Sequence, residues 1–453
     1  MNRPALALGS WLERLNRLTA RLTAAVGLLR PSVREEVEPA PLTRPYPWEA
    51  AYPEGLDWSL HIEPRSMPEL FDRSVEAFEE NPCLEFMGKR FTYREIGDLV
   101  YKTAWGFREL GVEKGVKVGL FLPNCPYFII CYYAILKAGG IVVNFNPLYA
   151  ERGVARQIRD SGVQIMVTMD LGSLYPKIGD RLEDTDLETV VVCSMSSALP
   201  FPANAFFALL KRKEMSAIPS DDDHVRFEKL ISNDGELEAA RPDPDDVALL
   251  QYTGGTTGLP KGAMLTHGNL YANTLQTAAW APDIEPGSEK ILGVLPLFHA
   301  FGMTGVMNVG LHIGAEIVLL PRFKVAEALK VIEKDRPSIL LGVPTMFSAI
   351  NSHKHAAKYD LSSLKTCISG GAPLPLEVKT VFEELSGCVL VEGYGLTEAG
   401  PICTINPIDG LNKPGSAGLP IPGTVIEVVS LDDPGRAVPI GDKGEVCVSG
   451  PQV

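Results

Sequence analysis

An α/β protein organised around a largely parallel sheet is the fold this sequence predicts, and two features predict it. Short β-branched runs alternate with helical patterns across residues 66–405, and beyond Asn406 that alternation gives way to short strands between Gly and Pro turns. The expected strands are Val116–Leu122, Val163–Thr168, Thr189–Cys193, Val247–Tyr252, Ile291–Pro296, Glu316–Leu320, Ser338–Val343, Cys367–Ser369 and Cys388–Glu392. They place an α/β core over 66–405. The stretch KPGSAGLPIPGTVIEVV, followed by GDKGEVCVSG, places a small β lobe over 406–453.

The remaining elements follow in chain order. Leu8, Trp11, Leu12, Leu15, Leu22, Val26 and Leu29 recur at helical spacing while Arg14, Arg17 and Arg21 share another face, and Ser10 with Glu13 forms a capping box. Residues 1–30 therefore read as an amphipathic helical extension. Two placements stand side by side: the helix lies on an anionic membrane surface, or it packs on the body of the protein or on a partner. It lacks the apolar region and small-residue cleavage site of a secretory signal. Residues 31–65, rich in Pro, Glu and Arg and without periodicity, read as a linker or wrapping arm. The uncharged stretch Asn124–Leu136 falls short of the about 18 to 20 residues of a bilayer span and reads as a buried helix. Met195–Asp223 reads as a surface excursion. There Phe206, Phe207, Leu209 and Leu210 stand beside Lys211, Arg212 and Lys213, and both lipid contact and a solvated helix are open.

With 453 residues and 45% hydrophobic content, the chain can bury more than one core, which suggests roughly two to four lobes. Its net charge of -14 opposes the field of a polyphosphate backbone and argues against a nucleic-acid partner. The eight cysteines, Cys83, Cys125, Cys131, Cys193, Cys367, Cys388, Cys403 and Cys447, are scattered, with no C-x-x-C pair. They read as buried thiols in a reducing, cytoplasmic compartment.

The chemistry is carried first by Tyr252–His267, YTGGTTGLPKGAMLTH, between an apolar strand and a helical stretch. Small residues at Gly254, Gly255 and Gly258 let backbone N–H groups approach a polyphosphate; Thr253, Thr256 and Thr257 add hydroxyls, and Lys261 adds charge. The segment is not a Walker A loop, because Pro260 precedes the lysine and Gly262 follows it. A plain Gly/Thr hairpin tip would leave this concentration of hydroxyls and an ammonium unexplained.

This loop resembles the signature of the adenylate-forming superfamily of acyl-CoA synthetases, luciferases and adenylation domains, in particular bacterial long-chain fatty-acid:CoA ligases. The resemblance runs from about Arg44 to Val453. It passes through FTYREIGD, LKAGGIVVNFNPLY, QYTGGTTGLPKGAMLTHGN, LPLFHAFGMT, SGGAPLP, EGYGLTEAGPICTINP, GSAGLPIPG and GEVCVSGPQV in the family's order. It implies a multi-lobed domain of mostly parallel sheets packed by helices, with a small distorted β-barrel lobe. It also implies that the chain is cut before a mobile C-terminal lobe.

In GYGLTEAGP, Tyr394 with Gly395 offers a planar face to adenine and Glu398 a carboxylate to Mg2+. By resemblance, Thr397 meets the α-phosphate or the substrate carboxylate, Thr253 joins Glu398 on the metal, and Gly370, Gly371, Ala372 and Pro373 flank the adenine. By resemblance too, His299 stands near the substrate carboxylate. Gly302, Gly342, Val343, Thr345 and Met346 are candidates for the apolar acyl cavity, each indistinguishable from core when taken alone.

The implied activity joins a fatty acid, ATP and CoA in two displacements, with an acyl-adenylate between them. Lys261, the loop N–H groups, Thr397 and the Mg2+ held by Glu398 neutralise accumulating charge, and no protein nucleophile is required. The family's ribose-binding Asp and adenylation Lys are expected beyond Val453, so poor turnover is expected of this chain by itself. Other readings are an adenylate former for an aryl or medium-chain acid or a carrier protein, and a non-catalytic nucleotide- or lipid-binding truncation. Peripheral contact with the inner membrane face and a homodimer complete the expected partners.

Overall fold

A computed structural model describes residues 43–236, 238, 240–253, 260–281, 283–433 and 435–453. The expected N-terminal helix, residues 31–42 of the arm, and the loop residues Gly254, Gly255, Thr256, Thr257 and Gly258 lie outside the described residues. The fold is α/β, as the alternation of patterns predicts.

Two mostly parallel sheets form the frame. The seven-stranded sheet contains β3 (Lys117–Leu120), β4 (Ile141–Asn144), β5 (Ile165–Met169), β6 (Thr189–Cys193), β7 (His224–Arg226), β8 (Val247–Thr253) and β9 (Lys261–Thr266), in the order β7-β6-β5-β3-β4-β8-β9. The nine-stranded sheet begins with the hairpin β1 (Pro82–Phe86) and β2 (Lys89–Thr92), which turns through positive φ at Met87 and Gly88. It continues with β10 (Lys290–Gly293), β11 (Glu316–Leu319), β12 (Ile339–Gly342), β13 (Thr366–Ser369), β14 (Val389–Gly395), β15 (Ile402–Ile405) and β16 (Leu419–Pro420). Its order is β16-β15-β14-β13-β12-β10-β11-β1-β2. The expected strands lie in the parallel cores of these sheets, where both faces are covered and the sequence runs continuously apolar.

β9 was not foreseen. It pairs antiparallel with β8, Thr253 opposite Lys261, but it is exposed over most of its length and carries no apolar alternation. The run expected at Ile291–Pro296 leaves the sheet after Gly293.

Helices cover the sheets for legible reasons. Thr92 and Glu95 form a reciprocal capping box that starts the helix Tyr93–Glu109. The helix Pro126–Ala138 is buried at every residue and stops at Gly139 with φ 93°, as expected of a buried helix; its one charged residue, Lys137, pairs with Asp72. The surface excursion contains the helix Ala203–Leu210. Among the described residues, no helix is long and apolar enough to cross a membrane.

By its internal contacts the chain divides into two units. One comprises Arg44–Ile426 with Val448–Val453; among the described residues, the other comprises Thr43 and Glu427–Cys447. The strands β17 (Val425–Val429) and β18 (Glu445–Ser449) form a two-stranded sheet. Seven of the eight cysteines are buried thiols as expected, whereas Cys447, on β18, is exposed. Its strand is open to solvent nearly throughout, so β-branched neighbours did not imply burial there.

Candidate active site

A cavity of about 620 Å3 opens beyond the carboxyl ends of the parallel strands. This is the position at which open α/β sheets bind ligands. The segment after β4 contributes Asn146 and Leu148, the segment after β10 Leu295, Pro296, Phe298 and His299, β12 and its exit Leu341 and Val343, the turn after β13 Gly370 and Gly371, and β14 with its exit Gly393 to Thr397.

The segment Leu295–His299 is positioned by buried amides. The Asn124 side-chain nitrogen donates to the carbonyl oxygens of Gly293 (3.2 Å) and Leu295 (2.8 Å), and its Oδ1 accepts from the Leu297 N–H (2.8 Å). These bonds draw the chain out of the sheet after Gly293. Gln251, on β8, donates to the Phe298 carbonyl at 3.0 Å, while its own Oε1 accepts from Asn144 on β4 at 2.9 Å.

His299 then faces the cavity, its Nδ1 accepting from the Phe301 N–H at 3.3 Å. Loss of hydration lowers its pKa below the usual histidine value. A neutral ring with Nδ1 occupied as an acceptor presents Nε2–H as a donor. Gly302 starts the π-helical segment Gly302–Asn308; a Cβ there would stand 2.2 Å from the Pro296 carbonyl oxygen, so only glycine lets this segment fold back on the His299 loop.

On the opposite wall, β14 ends in Tyr394 and Gly395 and turns through the short helix Thr397–Ala399. A Cβ on Gly395 would lie 2.0 Å from the Pro401 carbonyl oxygen, which in turn accepts from the Leu396 N–H at 2.9 Å. The turn is tied to its surroundings twice. Thr304 Oγ1 donates to the Gly400 carbonyl at 2.7 Å, and Asn273 both donates to the Ile402 carbonyl (2.7 Å) and accepts from the Ile402 N–H (3.0 Å). Asn273 belongs to the helix His267–Ala279, which directly follows β9, and the Thr397–Ala399 turn packs against β9 itself. The hairpin that carries the Thr/Gly loop and the turn that carries Glu398 are therefore neighbours.

The structure gathers His299, Gly302, Val343, Met346, Gly370, Gly371, Tyr394, Gly395 and Thr397 around one cavity. Thr253 and Lys261 face each other at the root of the hairpin, and Glu398 is an exposed carboxylate one residue beyond the wall. Ala372 and Pro373 are exposed just past Gly371, Gly342 is buried beneath Phe347, and Thr345 is exposed on the helix Pro344–Asn351; none of these four is a wall residue. Sequence reasoning missed Asn124, Gln251 and Asn273. Each is a polar residue beside or within an apolar run, the one local sign available.

No group of three or more His, Cys, Asp or Glu able to hold a metal ion occurs among the described residues. A lone Glu398 carboxylate suits a hard cation whose other ligands are phosphate oxygens and water, so the residues present fit Mg2+ arriving with ATP.

Comparison with known proteins matches residues 71–453 to the family described as AMP-binding enzyme. The chain is 40% identical over 419 residues to a long-chain-fatty-acid–CoA ligase of Bacillus subtilis, covering 90% of this chain and 73% of that one. It is 33% identical over 416 residues to an Escherichia coli O6:H1 protein of the same name, with the same coverage. Its structure is similar to that of a long-chain-fatty-acid-CoA ligase from Archaeoglobus fulgidus, with a TM-score of 0.75, 27% identity and coverage of 89% and 78% of the two chains.

Proposed function

Because the chain belongs to the family of AMP-binding enzymes, we infer that it is an ATP-dependent long-chain fatty-acid–CoA ligase. A fatty-acid carboxylate oxygen attacks the α-phosphorus of ATP, pyrophosphate leaves, and an acyl-adenylate forms. The CoA thiol then attacks the acyl carbonyl carbon and AMP leaves.

The observation that carries the assignment of roles is the packing of the Thr397–Ala399 turn against β9, beside a largely apolar cavity. In the proposed arrangement Lys261 and the N–H and hydroxyl groups of Thr253–Gly258 hold the β- and γ-phosphates. Tyr394 and Gly395, with Gly370, Gly371, Ala372 and Pro373, flank the adenine, and Thr397 donates to the α-phosphate. Thr253 and Glu398 hold Mg2+, which offsets phosphate charge when bound. The neutral His299 donates from Nε2 to the acid's carboxylate, orienting one oxygen toward phosphorus. Gly302, Val343 and Met346 line the start of the acyl chain's path. Two anionic reactants are brought together, so fixed donors aimed at the developing charge contribute most of the acceleration.

The test is pyrophosphate release with palmitate, octanoate or coumarate, with and without CoA. Palmitate-dependent release is expected to exceed that with the other acids, and Glu398→Gln is expected to lower it by roughly two decades. Equal rates with coumarate would sink the long-chain assignment; an unaffected Glu398→Gln protein would sink the metal role.

A further inference from the structure

A second surface, away from the cavity, carries chemistry of its own. The helix Ala203–Leu210 has the sequence ANAFFALL, and its two faces divide. Phe207 is partly buried against the main core. Phe206, Leu209 and Leu210, spaced i, i+3 and i+4 on one side, are 59%, 75% and 72% exposed, and Phe201 just before the helix is 83% exposed. The patch extends to a second element: Met87, 51% exposed at the tip of the β1–β2 hairpin, adjoins Gly88, which would touch Pro200 if it carried a Cβ. The two elements are joined where Lys89 Nζ donates to the Ser197 carbonyl at 2.9 Å.

Large side chains clustered this way are uncommon on a surface facing only water. The helix is followed at once by exposed Lys211, Arg212 and Lys213, of which Lys211 pairs with Glu214. In a chain of net charge -14, three successive cations beside exposed aromatic and leucine side chains form a local exception. Apolar groups entering the acyl–headgroup boundary, with cations at headgroup level, are complementary to a bilayer containing anionic lipid.

We propose that Phe201, Phe206, Leu209 and Leu210, with the cations Lys211–Lys213, form a docking surface for anionic lipid bilayers. The proposal is independent of the ligase assignment, because it concerns attachment and not turnover. In a ligase, it would hold the enzyme where long-chain acids concentrate.

The experiment is flotation of the full chain with mixed phosphatidylcholine–phosphatidylglycerol vesicles, with pure phosphatidylcholine vesicles as control. The parent protein is expected to float with the mixed vesicles and to remain in solution with phosphatidylcholine alone. Phe206→Ser combined with Leu209→Ser and Leu210→Ser is expected to reduce binding at least roughly tenfold. Replacing Lys211, Arg212 and Lys213 with Gln is expected to cost roughly tenfold, with melting temperature unchanged in both variants. The proposal is overturned if the serine variant floats like the parent, as it would were the first thirty residues the anchor. Equal binding of the parent to both vesicle types also overturns it, as does a parent dimer that the serine variant dissociates while neither protein binds vesicles.

Discussion

His267 sits where β9 gives way to the helix His267–Ala279, and its buried Nδ1 accepts from the Met67 N–H at 3.3 Å. Burial pushes its pKa down to about 4, against a weaker upward pull from Asp246. The unfolded imidazole titrates near 6.5, so between about pH 6.5 and 4 the unfolded chain takes up a proton that the folded ring refuses. Stability present above pH 6.5 is therefore lost as pH falls toward 4, by a contribution on the order of 3 kcal/mol. His267→Asn keeps an acceptor near the Nδ1 position but has no proton to gain. Its urea midpoint is expected to fall less steeply than the parent's across that window, and parallel curves would assign the acid sensitivity elsewhere. At this scale, the residues legible in the sequence were those with exceptional local chemistry: Lys261 among glycines and threonines, Tyr394 and Glu398 around one turn, and His299 between phenylalanines. Asn273 and Asn124 were not legible, because their partners Ile402 and Leu297 lie 129 and 173 positions away.

Most strands of the parallel cores announced themselves, but β4, β1 and β15, short and buried inside their sheets, did not, and neither did the strands at the edges. β8 is a buried apolar strand and was expected; its partner β9 is mostly exposed, so Met264 and Lys261 face outward and the segment read as loop. What keeps that hairpin beside the turn after β14 is Asn273, whose single side chain satisfies both backbone groups of Ile402. Asn273→Leu removes both bonds and leaves a buried donor and acceptor unsatisfied, at a cost of about 2 to 4 kcal/mol. The expected outcome is a lowered urea midpoint together with a raised KM for ATP, since the phosphate loop and Glu398 lose their common support. A destabilised variant with unchanged KM would make Asn273 a packing residue only.

The whole molecule places its cavity where the carboxyl ends of two separate sheets face a shared space, and one chain of amides joins the two. Asn144 on β4 donates to Gln251 on β8, and Gln251 donates to Phe298 beyond β10. Gln251→Leu preserves volume and breaks the link, so the His299 segment loses its registration with the phosphate side. A displacement of about 1 Å is enough to reduce kcat/KM for palmitate roughly tenfold to a hundredfold. An unaltered value would show that Asn124 alone holds the segment. The parallel α/β character was legible across residues 66–405, but the order of strands was not, because hydrophobic pattern says which face is covered and not which neighbour covers it. The β1–β2 hairpin shows what that order entails during synthesis. β1 pairs with β11, Leu84 opposite Ile317. At ribosomal rates of about 5 to 20 residues per second, the nascent hairpin waits roughly 10 to 50 seconds before its neighbour emerges. For that interval Leu84 and Phe86 belong to an open edge, and chaperones guarding the growing polypeptide have a defined stretch to shield.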